Sequence, residues 1–353
     1  MRLPNPIIVE DATRILGQYR DRLEGLRGAS ILVTGASGFL CSYLVDILAE
    51  WNVRWGPPGV SIIAVDNLVA ASQERLAHLR SNAAIEFIAH DVTRPICLER
   101  KIDYVVHGAS IASPVFYRRF PLATIDVNVN GTSQMLTLAR QHAAKGVIFL
   151  SSSEIYGDPD PQHIPTEESY RGNVSCTGPR ACYDESKRLG ETLCVTHFRL
   201  YGTPVKIVRP FNVYGPGQRL DDQRIIPDLV SAALAGGPLK LLSDGRPTRS
   251  FSYAGDFIAG LMLIMLSAED GEAFNLGNDE EISVATAAET VAQAAGNGKP
   301  LAIEYAISGD KDYLTDNPNR RCPNLSKVRS RIGWSPQIMF KEGIVRTIQS
   351  YRI

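Results

Sequence analysis

The sequence predicts an α/β protein with a doubly wound parallel sheet and a smaller carboxyl-terminal α/β domain. Three observations predict it. From residue 30 to about 210, short apolar runs alternate with helical stretches, the pattern of strand–helix–strand units in a parallel sheet. A glycine turn, Gly35-Ala-Ser-Gly38, separates the first run from the first helix. After residue 212 the turn-rich stretches YGPGQ, AGGP and SDGRP break the alternation into short elements. That loosening suits a second domain laid over the carboxyl ends of the strands, where such folds bind ligands.

Each element follows from its local pattern. Ile15, Leu16, Tyr19, Leu23 and Leu26 recur at helical spacing, so residues 7–27 form an amphipathic helix that packs on its own domain or, alternatively, on a partner subunit. SILVTG (30–35) is a buried strand and FLCSYLVDILAEW (39–51) the helix after it. SIIAVD (61–66), IEFIAHD (85–91) and DYVVHGAS (103–110) are the next strands. A helix over 121–142 leads to the strand GVIFLSSS (146–153), a helix over 181–201 and the strand VKIVRP (205–210). The expected domains are a helical extension (1–28), a dinucleotide-binding domain (29–212, with 251–275 returning to it), and a substrate domain (213–250 and 276–353).

Composition excludes several classes. The 353 residues are 44% hydrophobic and 21% charged, ordinary for a soluble globular protein with a sizeable core. A net charge of −1 argues against nucleic-acid or membrane-surface partners. No apolar run approaches the ~20 residues of a membrane span, and the N-terminus lacks the apolar core of a signal peptide. Six scattered cysteines without a Cys-x-x-Cys pair suit reduced thiols in a cytoplasm, and neither disulfides nor zinc. The six histidines are equally dispersed, and no metal is expected.

The chemistry starts from GPRACYDESKR, residues 178–188. Tyr183 and Lys187 are four apart, on one face of a helix. A tyrosine is a poor base at its ordinary pKa of ~10, and a nearby ammonium lowers that value. Such a pair takes a proton from a hydroxyl while a cofactor takes the hydride. Alone, the spacing also describes a surface helix turn. The glycine turn shifts the balance, because Gly35 and Gly38 let backbone approach a pyrophosphate at a helix N-terminus. Asp66 ends the second strand, where a carboxylate accepts from both ribose hydroxyls and repels a 2′-phosphate, which favours NAD over NADP. Asp91 and Val92 end the third strand, placed for the adenine. Cys41 occupies the third glycine position, which implies a displaced helix or a small compensating neighbour. WNVRWGPPGV (51–60) reads as an insertion.

Together these pieces resemble an extended short-chain dehydrogenase/reductase acting on nucleotide sugars, with a Rossmann-type domain. Within that family the chain is most similar to the UDP-glucuronic acid decarboxylase branch. The resemblance covers about residues 30–350 and rests on VTGASGF, VDN, HDV, HGASIASPVFY, NVNGT, SSSEIYGDP, GPRACYDESKR, RPFNVYGP, GRPTRSFSYAGD and DNPNRRCPNLSKVRSRIGW. Ser152 replaces a threonine of the branch, and Ser186 a residue usually glycine.

The resemblance implies roles. Tyr183 deprotonates the sugar C4 hydroxyl, Lys187 tunes it and holds the nicotinamide ribose, and Ser152 bonds the C4 oxygen or, alternatively, only caps a loop. Ser37, Phe39, Leu40, Asn67, Ala109 and Ser110 join the residues above around NAD, with Asn128 on the nicotinamide side; Asn128 and Arg209 have a purely structural alternative. Glu154 lies beside the C5–C6 end of the sugar; its alternative is a surface pairing with a nearby arginine. Ser153 stands where sugar 4,6-dehydratases carry the acid that expels water, which counts against dehydration. Arg249 and Arg321 reach the diphosphate or the sugar, with Arg180 and Arg224 as further candidates; guanidinium suits both anions. Asn212 contacts the diphosphate, and Tyr117 reaches a carboxylate or phosphate. The expected reaction is decarboxylation through a 4-keto sugar. The alternatives are a 4,6-dehydratase or 4-epimerase, and a catalytically silent NAD-binding regulator. The resemblance also implies a homodimer, paired through the Tyr/Lys helix and its neighbour.

Overall fold

Seven parallel strands form the central sheet in the computed structural model, which describes residues 4–69, 73–266, 269–296, 300–306, 315 and 317–352. Helix α1 (Pro6–Gln18) precedes the sheet, and a 3₁₀ turn (Asp21–Leu26) follows it. Next come β1 (Ser30–Thr34), α2 (Phe39–Trp55), β2 (Ser61–Asp66), β3 (Ile85–Ala89) and β4 (Tyr104–His107). Helices α3 (Pro114–Arg119), α4 (Pro121–Asp126) and α5 (Thr132–Gln141) lead to β5 (Gly146–Leu150), α6 (Ala181–Tyr201) and β6 (Val205–Pro210). Beyond β7 (Val213–Tyr214) lie α7 (Ile225–Leu234), β8 (Leu239–Leu241), β9 (Thr248–Ser250), β10 (Ser252–Tyr253) and α8 (Ala254–Met265). The chain ends with β11 (Ala273–Leu276), β12 (Glu281–Ser283), α9 (Val284–Ala295), β13 (Ile303–Tyr305), β14 (Arg320–Arg321), α10 (Ser326–Ile332) and α11 (Phe340–Arg352).

The sheet order is β11-β6-β5-β4-β1-β2-β3. Every pairing in it is parallel, and the order reverses between β1 and β4. That switch point opens a crevice at the carboxyl ends of the strands. Strands β1, β4 and β5 are buried along almost their whole length, which is why they read as unbroken apolar runs. The apolar core on one face of the sheet joins α1, α2, α8 and α10; Val328, Ile332 and Trp334 belong to it. Residues 326–334, assigned on sequence to the second domain, thus pack with the first. A separate core joins α7, α9 and α11 over the short strands β8 to β10.

Two expected helices differ in detail. The amphipathic stretch at the N-terminus breaks after Gln18, though Leu23 and Leu26 in the following 3₁₀ turn remain buried. It packs on its own chain, against α2, α8 and α11. Asp11 fixes it there: the buried carboxylate accepts from Tyr253 Oη at 2.6 Å and from Arg346 Nη2 at 3.0 Å. The single helix expected over 121–142 is α4 and α5 joined by one π turn, Val127–Gly131. Such turns recur at functional sites, and this one carries Asn128. The stretch 51–60 lengthens α2 to Trp55 before a turn at Gly56.

Candidate active site

The carboxyl ends of the sheet, the N-termini of α2 and α6, and the loops around α7 enclose one cavity of about 990 Å³. Every residue expected to hold cofactor or substrate lines it except Asn128.

At the cofactor end, α2 starts at Gly38 with no side chain capping it. Its first N–H groups are therefore available to an anion. Gly35 has φ +66°, and a Cβ there would lie 2.8 Å from the Ala109 backbone; only glycine lets the turn pack this closely on the loop after β4. Asp66 accepts from Ser37 N at 2.9 Å and Leu68 N at 2.8 Å. Burial raises its pKa, and those two bonds oppose the rise. Asp91 is held in a local turn by Thr93 N at 3.0 Å and Thr93 Oγ1 at 2.9 Å. Cys41 is tolerated because its neighbour is Gly108: a Cβ on residue 108 would collide with Cys41 Sγ. The compensating neighbour lies across the sheet, at the end of β4. An uncapped helix start, a close-packed glycine turn and a carboxylate at the end of β2 fit a dinucleotide, and the cofactor is NAD.

At the reacting end, the Tyr183 ring stacks on that of Tyr117, centroids 5.0 Å apart and planes 12° apart. Tyr183 is 5% exposed. Burial pushes its phenol up to about 12, opposed by the Ser152 hydroxyl and by Arg224. The Lys187 ammonium donates to the Leu150 carbonyl at 2.7 Å and sits 5.9 Å from the Tyr183 ring centre. Burial lowers its own pKa to about 7. Helical spacing correctly puts the two on one face, but it does not report the carbonyl that draws Lys187 back toward β5. Ser152 caps the 3₁₀ turn Ser153–Tyr156, its Oγ accepting from Glu154 N at 3.1 Å. That bond uses a lone pair and leaves the hydroxyl proton for the cavity.

Glu154 is bound to two arginines. Arg321 Nη2 donates to its Oε2 at 2.7 Å while Nη1 grips Oε1, and Arg180 pairs with Oε2. The desolvation of Glu154 is outweighed by Arg180 and Arg321, which hold its carboxyl down at about 2. Glu154 is thus paired with arginines, but at the cavity wall and not on the open surface that the alternative for it describes. Arg249 is oriented by Thr248 O at 2.7 Å and Asn317 Oδ1 at 2.9 Å. Arg224 donates to Ala112 O at 2.7 Å and lies 3.3 Å from Asp222. Asn212 has φ +36° and donates to Ser250 O at 3.4 Å. Among the described residues, no hydrogen-bond partner meets the buried Tyr117 hydroxyl.

Asn128, expected on the nicotinamide side, does not line the cavity. It is fully buried behind the wall, bonded to Ser110 and Ser186, so it supports the site and does not line it. Arg209 is structural as well, bidentate to Glu191 at 2.9 and 2.6 Å. Sequence reasoning missed Asn317, which aims Arg249 and stands inside the quoted DNPNRR motif. It also missed Asp228, a cavity carboxyl that burial raises to about 6; no motif marks it.

Over residues 31–277 the chain matches the NAD dependent epimerase/dehydratase family. It is 39% identical to UDP-glucuronic acid decarboxylase 1 of Arabidopsis thaliana across 93% of this chain and 71% of that protein. It is 35% identical to UDP-glucuronic acid decarboxylase 1 of Xenopus tropicalis across 91% and 72%. Among solved structures it is similar to a dTDP-glucose 4,6-dehydratase double mutant from Streptomyces venezuelae with NAD bound, at TM-score 0.79 and 25% identity over 91% and 96% of the two chains. An epimerase from Methanothermobacter thermautotrophicus gives TM-score 0.82 at 26% identity, covering 96% of each chain.

Proposed function

The chain belongs to the NAD dependent epimerase/dehydratase family, and from that premise we propose that it decarboxylates UDP-glucuronic acid through a 4-keto sugar, giving UDP-xylose or the 4-keto pentose. The observation that carries the proposal is the Glu154 site. The residue before Glu154 is Ser153, which cannot donate a proton as a carboxylic acid would, so nothing there expels a C6 hydroxyl as water. Glu154 itself is ionised and clamped by Arg180 and Arg321, so it cannot act as a base toward C5 without leaving two guanidiniums. That counts against dehydration; a 4-epimerisation needs neither group and is separated from loss of the carboxylate carbon by the experiment below.

NAD, when bound, accepts the C4 hydride and can return it. The chain's own residues do the rest. Tyr183 takes the C4 hydroxyl proton, with the Ser152 hydroxyl directed at the same oxygen. Oxidation at C4 makes a β-keto acid, whose C5–C6 bond breaks to release CO2 and leave an enolate that takes a proton at C5. Arg180, Arg321 and Arg249 give one wall of the cavity the charge an anionic sugar nucleotide needs. Arg224 and Asn212 bind the diphosphate. Lys187, with its pKa near 7, changes charge close to neutrality and donates toward the cofactor ribose when protonated.

The exposed apolar residues Phe120 just before α4, Leu122 and Ile125 on α4, and Leu189 on α6 form the face through which two copies pair in a four-helix contact. The described cysteines are free thiols, and no described helix is long and apolar enough to cross a membrane; the expected compartment is the cytoplasm.

Incubation with UDP-glucuronic acid in deuterated water tests the reaction. A decarboxylase gives CO2 and a pentose carrying deuterium at C5. A hexuronic acid without solvent label would mean a 4-epimerase. Water loss from a neutral nucleotide hexose, with no CO2 from the uronic acid, would mean a dehydratase.

A further inference from the structure

Ser186 lies between Tyr183 and Lys187 on α6, and none of the steps above uses it. It is 4% exposed. Its Oγ donates to the Cys182 carbonyl one turn back at 2.5 Å, with the Tyr183 carbonyl at 3.1 Å. A hydroxyl has one proton, so Ser186 offers only lone pairs to its other neighbour. That neighbour is the Asn128 carboxamide, whose Nδ2 donates to Ser186 Oγ at 2.9 Å.

Asn128 sits fully buried in the π turn between α4 and α5. With its NH2 turned to Ser186, its Oδ1 must face the opposite way. There it accepts from Ser110 Oγ at 2.7 Å. The Ser110 proton is thereby committed to Asn128. Ser110 stands on the cavity wall in the loop after β4, and it shows the cavity an oxygen with lone pairs only. The direction of every bond follows from the one before it, starting at a helix carbonyl that can only accept.

We propose that Ser186 is a positioning residue that sets the polarity of this relay, so that Ser110 accepts a hydrogen bond from a donor group of the bound dinucleotide, a ribose hydroxyl or an amide N–H, and disfavours a phosphate oxygen. A glycine, which the decarboxylases this chain resembles usually carry here, has no group that could orient Asn128. Without the Ser186 oxygen, the buried Asn128 NH2 loses its acceptor. The carboxamide is then free to turn over, and the Ser110 hydroxyl can point either way. The proposal rests on NAD occupying the cavity, and not on which sugar reaction follows.

Exchange of bound NAD against labelled NAD in the purified holoenzyme reads the relay without turnover. Ser186→Ala should speed release about tenfold, the scale of one buried hydrogen bond left unmade. Ser186→Thr keeps the hydroxyl and should release NAD at the wild-type rate. Ser110→Ala should speed release by at least the factor seen in Ser186→Ala. The double variant should be no faster than Ser110→Ala alone, because both changes act through one bond. A merely structural Ser186 would lower the melting temperature without this dependence on Ser110. Wild-type NAD exchange in Ser186→Ala or in Ser110→Ala overturns the proposal, as do effects of the two that multiply independently. Should Ser186→Ala not fold, Ser110→Ala and Ser186→Thr decide on the same criteria. A protein that shows this NAD behaviour yet releases no CO2 from UDP-glucuronic acid fails the decarboxylase reading and leaves the relay standing.

Discussion

Arg321 holds Glu154 through both carboxylate oxygens, Nη2 to Oε2 at 2.7 Å and Nη1 to Oε1, and joins β14 to the loop after β5. The pair closes one wall of the cavity, so it links binding to stability. Arg321→Ala leaves Glu154 with Arg180 alone and should lower unfolding free energy by about 1.5–3 kcal/mol, the scale of hydrogen bonds to charged groups, measured by urea titration. The pH dependence has a definite sign. Arg180 and Arg321 depress the Glu154 pKa from 4.5 to about 2, so the folded state gains stability that is fully present above pH ~4.5 and is lost as pH falls toward 2. Glu154→Gln should flatten the acid limb over that window. An unchanged limb would mean the pair contributes nothing.

Tyr183→Phe removes the phenol oxygen and keeps the ring that stacks on Tyr117. Turnover should fall by roughly 10²–10⁴, while NAD still co-purifies and the nucleotide sugar still binds. Calorimetric titration with UDP-glucuronic acid checks the binding, and CO2 release checks the rate. Wild-type turnover would remove the dehydrogenase-type first step.

Much of this site can be read from the sequence because its parts sit on local patterns. Helix α6 begins and ends where the apolar spacing and the GPRACYDESKR motif put it, and Tyr183 and Lys187 share a face because four residues make about one turn. Asp66 falls at the end of β2 because the apolar run stops there. What the sequence does not show is set across the fold. The Leu150 carbonyl that holds Lys187 is on a neighbouring strand, 37 residues away in the chain. The depressed Lys187 pKa and the raised Tyr183 pKa are burial effects, and spacing carries no information on burial. Asn128 lies behind the cavity on a π turn, and the turn leaves no signature in NVNGT. Arg180 and Arg321 meet at Glu154 from positions 141 residues apart in number, which only the folded chain brings together.

Cys41 and Gly108 form a complementary pair under the dinucleotide turn. A Cβ at residue 108 would collide with Cys41 Sγ and come within 3.0 Å of Leu150 Cδ1. Gly108→Ala should therefore destabilise the protein by about 1–3 kcal/mol through overpacking. Cys41→Gly in the same chain should restore most of that loss, because it reinstates the glycine the turn can otherwise carry. Thermal melts of the two single variants and the double variant check it. Additive losses would show that the two positions do not compete for one space.

Leu122 is 80% exposed on α4, beside the exposed Phe120 and Ile125, and Leu189 is exposed on α6. Leu122→Glu with Leu189→Glu should convert the proposed homodimer to a monomer, because buried carboxylates without partners oppose association. Light scattering at micromolar concentration reads the outcome. A wild-type monomer, or a dimer that survives both changes, would place the contact elsewhere or remove it.

Lys187 gives the NAD-free protein a stability that depends on pH near neutrality. Burial lowers its pKa from 10.5 to about 7. Between those values the unfolded chain holds a proton on this amine and the folded chain does not. Stability therefore rises with pH from about 7 upward. The opposing groups act later: Tyr183 is raised to about 12 and Cys194 well above 9.0 by burial, so each lowers stability only once its unfolded form ionises, near pH 10 and 9. The window for Lys187 alone is pH 7 to about 9. Lys187→Met removes the amine and keeps a flexible apolar chain, and it should abolish the rise across that window as well as stop turnover. Melting temperatures of the NAD-free wild type and variant at pH 7, 8 and 9 decide the matter: parallel curves would mean that Lys187 stays charged in the folded protein and that its bond to the Leu150 carbonyl outweighs its burial.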